Sequence, residues 1–235
     1  MNCLNFTISL NDILKYINIL KLKTKNEKKC LLIGISGIPG SGKTSLSNYL
    51  IDKLIKIYNL KGKVIPLDGY HIKLKNLNPL IKSRRGCIDS FDLEKFKKDM
   101  FKLSNCNNNN IYSNNILKFP SFNHSLKDPI ENNILIDLDT LDYLIIEGLY
   151  LYTDNNEHIK DIISNNIYDL KLFINYNVEK CMERVIIRNF NSKVDNSLHT
   201  IEDYRNRINN NDRINSKYII DYTNYMIVYF IDYID

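Results

Sequence analysis

Apolar residues along the chain follow two periods. Leu10, Ile13, Leu14, Ile17 and Leu20 recur at three- and four-residue spacing, the one-face pattern of an amphipathic helix. Leu46, Leu50, Ile51, Leu54, Ile55 and Tyr58 repeat it. The same spacing predicts helices over Phe91–Leu103, Val178–Phe190 and His199–Arg213. Between these segments lie short apolar runs at Cys30–Ser36, Lys63–Leu67, Tyr143–Ile146 and Tyr168–Ile174. Continuous apolar runs of this length suit strands buried on both faces of a sheet. Ile116–Phe119 and Ile134–Leu138, flanking Pro120–Pro129, are read as strands, as is a final run within Tyr225–Ile231. Pro66 has no N–H for a ladder and is placed at its strand's end.

Strands alternating with helices predict parallel βαβ units, hence a three-layer α/β/α fold with a mostly parallel sheet. The chain has 235 residues and 44% hydrophobic content, enough for one domain spanning 1–235 with a sizeable core. Residues 1–29 read as an N-terminal helix and lead-in. The first 26 residues are Lys-bearing and acid-poor like an organellar transit peptide, but they lack Arg and carry the helical spacing, which favours a packed helix. Residues 69–90 read as an irregular loop and 105–115 as an Asn-rich surface loop.

The net charge of +5 suits an anionic ligand. No dense basic stripe accompanies it, so nucleic acid is not an expected partner. No apolar run reaches the roughly 18 residues of a membrane span. Cysteines stand at 3, 30, 87, 106 and 181 without metal-ligand spacing. They are expected as free thiols in a reducing, cytoplasmic setting. Homo-oligomer formation is compatible with all of this.

Four of only eight glycines fall in one stretch, at 34, 37, 40 and 42. Gly37-Ile38-Pro39-Gly40-Ser41-Gly42-Lys43-Thr44 fits the phosphate-cradling pattern GxxxxGK[ST], with a strand before it and a helix after. The loop Gly37–Ser45 is expected to curl its backbone N–H groups, which Pro39 alone lacks, around ATP phosphates at the positive end of the following helix. Lys43 is expected to reach the β/γ-phosphates, and the Thr44 hydroxyl to bind Mg²⁺.

Two carboxylates follow strands. Asp68, in Leu67-Asp68-Gly69-Tyr70-His71, sits where a parallel strand meets the ligand crevice. It is assigned as the base acting on an acceptor hydroxyl, with Gly69 allowing a sharp exit. Glu147 ends Leu144-Ile145-Ile146 and is assigned to Mg²⁺ and the substrate edge of the site. Arginine is confined to three clusters: Arg84–Arg85, Arg184/Arg188 and Arg205/Arg207/Arg213. Arg184 and Arg188 share a helix face and are expected to close a helical lid over the phosphates. Tyr70, His71, Arg84, Arg85, Phe122 and His124 are candidate acceptor contacts. Asp92 is expected to cap the helix it precedes.

In chain order, the glycine loop, the DGYH segment, Arg85-Gly86 followed by Phe91-Asp92, Pro120–Pro129, Ile146-Glu147-Gly148 and Asn211–Asn215 resemble the uridine kinase / phosphoribulokinase / pantothenate kinase group of P-loop kinases. The likeness runs from about Leu31 to Ile220. It implies ATP-dependent phosphorylation of a hydroxyl on a small metabolite such as a nucleoside, sugar or pantothenate-like compound. Asp68 would be the catalytic base and Arg184/Arg188 the lid. Ile214 stands where the related pattern has Pro, and Asp68–His71 replaces the Asp-Ser-Phe-Tyr of uridine kinases, so uridine specificity is not implied. The alternative function is an NTPase that couples hydrolysis to a partner protein.

Overall fold

The computed structural model describes residues 8–24, 27–108, 116–123, 125–192, 197–225 and 229–232. In chain order the first half forms α1 (Leu10–Thr24), β1 (Leu31–Gly37), α2 (Lys43–Tyr58), β2 (Gly62–Pro66), α3 (Pro79–Ser83) and α4 (Leu93–Asn108). The hairpin β3 (Ile116–Asn123) and β4 (Asp128–Asp137) follows. The second half forms β5 (Tyr143–Gly148), α5 (Glu157–Ser164), β6 (Leu170–Asn175), α6 (Val178–Asn191), α7 (Ile201–Asn210), α8 (Asp212–Tyr222) and β7 (Tyr229–Asp232). The main sheet runs β2-β5-β1-β6-β7, every neighbouring pair parallel.

Alternation along β1 explains the layers. Leu31, Ile33 and Ile35 pack with Ile13, Leu14 and Ile17 of α1 and Leu46, Leu50 and Leu54 of α2. Leu32 points the other way, into a core with Ile65, Leu144 and Ile146 on the sheet and Phe96, Ile159 and Met182 on α4, α5 and α6. A strand buried on both faces cannot carry polar alternation, which is why it reads as a solid apolar run. The three-layer α/β fold expected from the pattern is the observed one.

Four local expectations change. Segment 69–90 is not irregular: 3₁₀ turns at Leu67–Tyr70, Leu74–Asn76 and Ile88–Ser90 flank α3. The expected Asn-rich loop at 105–115 begins in helix, since α4 runs to Asn108 and buries Cys106 and Asn107. The Asn107 amide pairs with both the N–H and the carbonyl of Cys30, at 2.8 Å each, and so ties α4 to the start of β1. Residues 109–115 lie outside the described residues.

The predicted strands around Pro120–Pro129 extend into it and form an antiparallel ribbon apart from the main sheet. The ladder slips between Phe119 and Ser121, at the residue with no N–H to donate. The predicted helix His199–Arg213 is two helices, because the chain leaves helical geometry at Asn211 (φ −131°, ψ −73°). The Asn211 amide there donates to the Arg85 carbonyl (2.8 Å), an alternative to continuing the helix. The short helix α5, capped by Asn156, was not legible in the pattern.

Cys30, Cys87, Cys106 and Cys181 are buried free thiols; Cys3 lies outside the described residues. Among the described residues no helix is long and apolar enough to cross a membrane.

Candidate active site

The glycine loop joins β1 to α2 at the C-terminal edge of the sheet, between α2 and α6. Gly40 has φ +77°, and a Cβ there would come within 2.3 Å of the Cys181 carbonyl. The loop can therefore pack against α6 only with glycine at this position. Gly42 caps α2 in the left-handed region with no side-chain partner. The first turn of α2 holds no acidic residue, which leaves the positive helix end uncompensated and suited to an anion. Ile38, Pro39 and Ser41 are buried, whereas Thr44 and Ser45 are exposed.

Lys43 Nζ donates to the carbonyls of Gly37 (3.0 Å) and Ile38 (2.9 Å). Burial lowers its pKa to about 8, against the opposing pull of Glu147 and Asp68. A cleft of about 330 Å³ opens over this loop. Its floor is Gly40, Gly42, Lys43, Thr44 and Ser45, and its far wall is Arg184, Val185 and Arg188 of α6. Arg184 lies over the Tyr176 ring (4.3 Å to the centroid) and donates to its hydroxyl (2.9 Å). Arg213 of α8 pairs with Glu179 at the start of α6, which braces the helices that carry this wall.

A second cleft of about 330 Å³ adjoins the first at Thr44. Asp68 and Glu147 line it, with Ser47, Asn48, Val64, Pro66, Ser121 and Phe122. Glu147 stands where β5 ends beside β2 and β1. Thr44 Oγ1 donates to Glu147 Oε1 (2.8 Å), and Ser47 Oγ lies 2.9 Å from Oε2. Ser47, not singled out from the sequence, is three residues after Thr44 and so shares its face of α2. Asp68 lies in the 3₁₀ turn after β2. Gly69 in that turn does not have positive φ. A Cβ on it would meet the Pro120 carbonyl at 2.4 Å. Its smallness thus admits the ribbon to the site, where a sharp exit had been expected.

The remaining expected contacts divide. Phe122 reaches the second cleft. His71 stands just behind it, stacked on Phe91 (centroids 3.9 Å) and 5.3 Å from the Phe122 ring. Burial lowers its pKa below the usual value, outweighing nearby Asp68, so the ring is neutral near pH 7. Tyr70 is not at the site: it is buried, donates to Asp99 Oδ2 (2.9 Å) and meets Phe96 edge-on. In the tight turn after Asp68 its side chain is carried into the core. Arg84 is exposed and lines neither cleft.

Arg85 is committed to the fold: it donates to the Ile72 carbonyl (3.0 Å) and to Asp128 Oδ1 (3.3 Å). Asp128 also accepts from the Leu74 N–H (2.8 Å). Asn211 holds the Arg85 carbonyl, away from the glycine loop. Asp212 is held protonated more readily than usual by burial, against the pull of Arg207 and Arg188. His124 lies outside the described residues. Asp92 caps α4, accepting from the Lys95 N–H (2.9 Å).

The chain is similar to known proteins over most of its length. Residues 32–224 match the family model described as "Phosphoribulokinase / Uridine kinase family". A uridine kinase from Ureaplasma parvum is 31% identical over 173 residues, covering 72% of this chain and 73% of the relative. A pantothenate kinase from Streptococcus agalactiae is 25% identical over 183 residues, covering 76% of this chain and 55% of the relative. Among solved structures, YFH7 from Saccharomyces cerevisiae superposes with a TM-score of 0.82 at 18% identity, covering 96% of this chain and 99% of that one.

Proposed function

The chain belongs to the phosphoribulokinase / uridine kinase family and is a P-loop small-molecule kinase; from that premise we propose that Asp68 is its catalytic base and that the two clefts hold donor and acceptor. The observation that carries this reading is the junction at Thr44. There a cleft lined by Lys43, Arg184 and Arg188 meets a cleft lined by Asp68 and Glu147.

In the first cleft the backbone N–H groups within Gly37–Ser45, Pro39 having none, and the Lys43 ammonium take the ATP phosphates. Lys43 exchanges its contacts with the Gly37 and Ile38 carbonyls for phosphate oxygens. Arg184 and Arg188 face charge that spreads over the transferring group. In the second cleft the acceptor hydroxyl lies against Asp68. Its oxygen attacks the γ-phosphorus, the bond to the bridging oxygen breaks with its electron pair leaving on ADP, and the hydroxyl proton passes to Asp68.

Mg²⁺ fits the residues present. Thr44 directs its proton to Glu147, so its hydroxyl oxygen keeps a lone pair for a hard cation, and the Glu147 carboxylate lies beside it. No group of three or more His, Cys, Asp or Glu side chains could hold a metal among the described residues. Thr44 and Glu147 would therefore share the ion with phosphate oxygens and water. Bound there, Mg²⁺ supplies neutralisation of the β- and γ-phosphate charge. Glu147→Gln is expected to raise the Mg²⁺ concentration for half-maximal rate roughly 10- to 100-fold. An unchanged Mg²⁺ titration would remove Glu147 from that role.

The Lys43 pKa gives a pH dependence. With a pKa of about 8 in the free protein, the amine is charged below that pH and neutral above it. Only the charged form attracts phosphate, so kcat/KM for ATP should fall as pH rises through about 8. Rate profiles of Lys43→Arg, whose guanidinium stays charged, should lack that limb. Retention of the limb in Lys43→Arg would assign it to another group.

The reading is tested with ATP labelled on its γ-phosphate and a panel of hydroxyl compounds. Label recovered on an organic product supports transfer. Label recovered only as inorganic phosphate would favour hydrolysis coupled to a partner.

A further inference from the structure

Charge is segregated between the two clefts. The donor cleft has three cationic side chains, Lys43, Arg184 and Arg188. The acceptor cleft has two carboxylates, Asp68 and Glu147, and no Lys or Arg among its described lining residues. Its other walls are uncharged: Asn48, Ser121, Val64, Pro66 and the Phe122 ring.

Among the described residues, the arginine beside Phe122 is paired with a carboxylate. The Arg85 guanidinium lies 5.9 Å from the Phe122 ring centroid. Its Nη1 donates to the Ile72 carbonyl and its Nη2 to the Asp128 carboxylate, while the buried Nε has no hydrogen-bond partner among the described residues. The salt bridge is partly shielded, with the Arg85 side chain 13% and the Asp128 side chain 32% exposed, so solvent screens it only in part. His71, behind Phe122, carries no charge near neutral pH. Lys43 turns to the carbonyls of its own loop.

We infer that the acceptor is an uncharged hydroxyl compound, with Asn48 and Ser121 for its polar groups and Phe122 for an apolar face, and that carboxylate- or phosphate-bearing alcohols are rejected. This rests on the kinase reading above. An anionic acceptor would lose its hydration facing two carboxylates with no cation among the described residues that line the cleft to repay the loss. Discrimination would thus come from an absent partner as much as from the contacts present. Asp128 is a positioning residue in this scheme: it cancels the charge of Arg85 and fixes Leu74.

Matched pairs test it: ribose against ribose 5-phosphate, glycerol against glycerate, and pantothenol against pantothenate, each with γ-labelled ATP. At least one neutral member should be phosphorylated, and in every pair that reacts its kcat/KM should exceed that of the anionic member about tenfold or more. An anionic member turned over as well as its neutral counterpart would overturn the inference while leaving the kinase reading intact. Label appearing only as inorganic phosphate with every compound would overturn both. Asp128→Asn keeps an acceptor for the Leu74 N–H but uncovers the Arg85 charge. It should shift the neutral-to-anionic ratio toward the anion by about fivefold, with the melting temperature as a check on folding. A folded variant with an unmoved ratio would show that Arg85 is not what the acceptor senses.

Discussion

Asp68→Asn is expected to lower kcat for phosphoryl transfer by about 10²–10⁴-fold, the usual contribution of a positioned general base, while ATP affinity changes little. The substitution keeps the size and hydrogen-bonding oxygen of the side chain and removes only its ability to take a proton. Asp68 lines the acceptor cleft and not the donor cleft, so the separation of the two effects follows from position. Single-turnover transfer and equilibrium ATP binding on the same preparation measure both. Transfer near the wild-type rate would show that Asp68 is misassigned.

Lys43→Ala is expected to act on the other half. Removing the cation proposed to meet phosphate should lower kcat/KM for ATP by about 10²–10³-fold and weaken equilibrium ATP binding with it. The fold should tolerate the change. The ammonium is held at a depressed pKa by burial, so its removal relieves a desolvation cost, although the Gly37 and Ile38 carbonyls lose a donor. Unchanged ATP affinity would remove the glycine loop from the donor site.

These two residues are also the ones the sequence made easiest to place. Lys43 sits in a local pattern whose strand, loop and helix are contiguous, and backbone chemistry fixes its direction. Asp68 and Glu147 each follow an apolar strand, and parallel strands bring their ends to one edge. The ribbon was harder to see. Pro120 lies inside it, and its exposed Ile116 and Leu135 give neither a continuous apolar run nor a clean alternation.

What local pattern could not supply were side-chain directions in tight turns and pairings across long separations. Tyr70 stands two residues from Asp68, and the 3₁₀ turn sends it into the core. Arg85 was singled out as a ligand contact because arginine is scarce in this chain. Its partner Asp128 lies far along the sequence, so the pairing that neutralises it emerges only when the ribbon folds over the turn. Ser47 was within reach of inference from the helical period once Thr44 had been assigned. Its contact with Glu147 still depends on how β5 aligns with α2.

Most directly, ADP release can be followed with and without nucleosides, sugars, pantothenate and glycerate, in the wild-type protein. Release that rises severalfold with at least one neutral hydroxyl compound, and little release without any, is the expected result. Substantial release that no acceptor increases would contradict the assignment of the second cleft as an acceptor site.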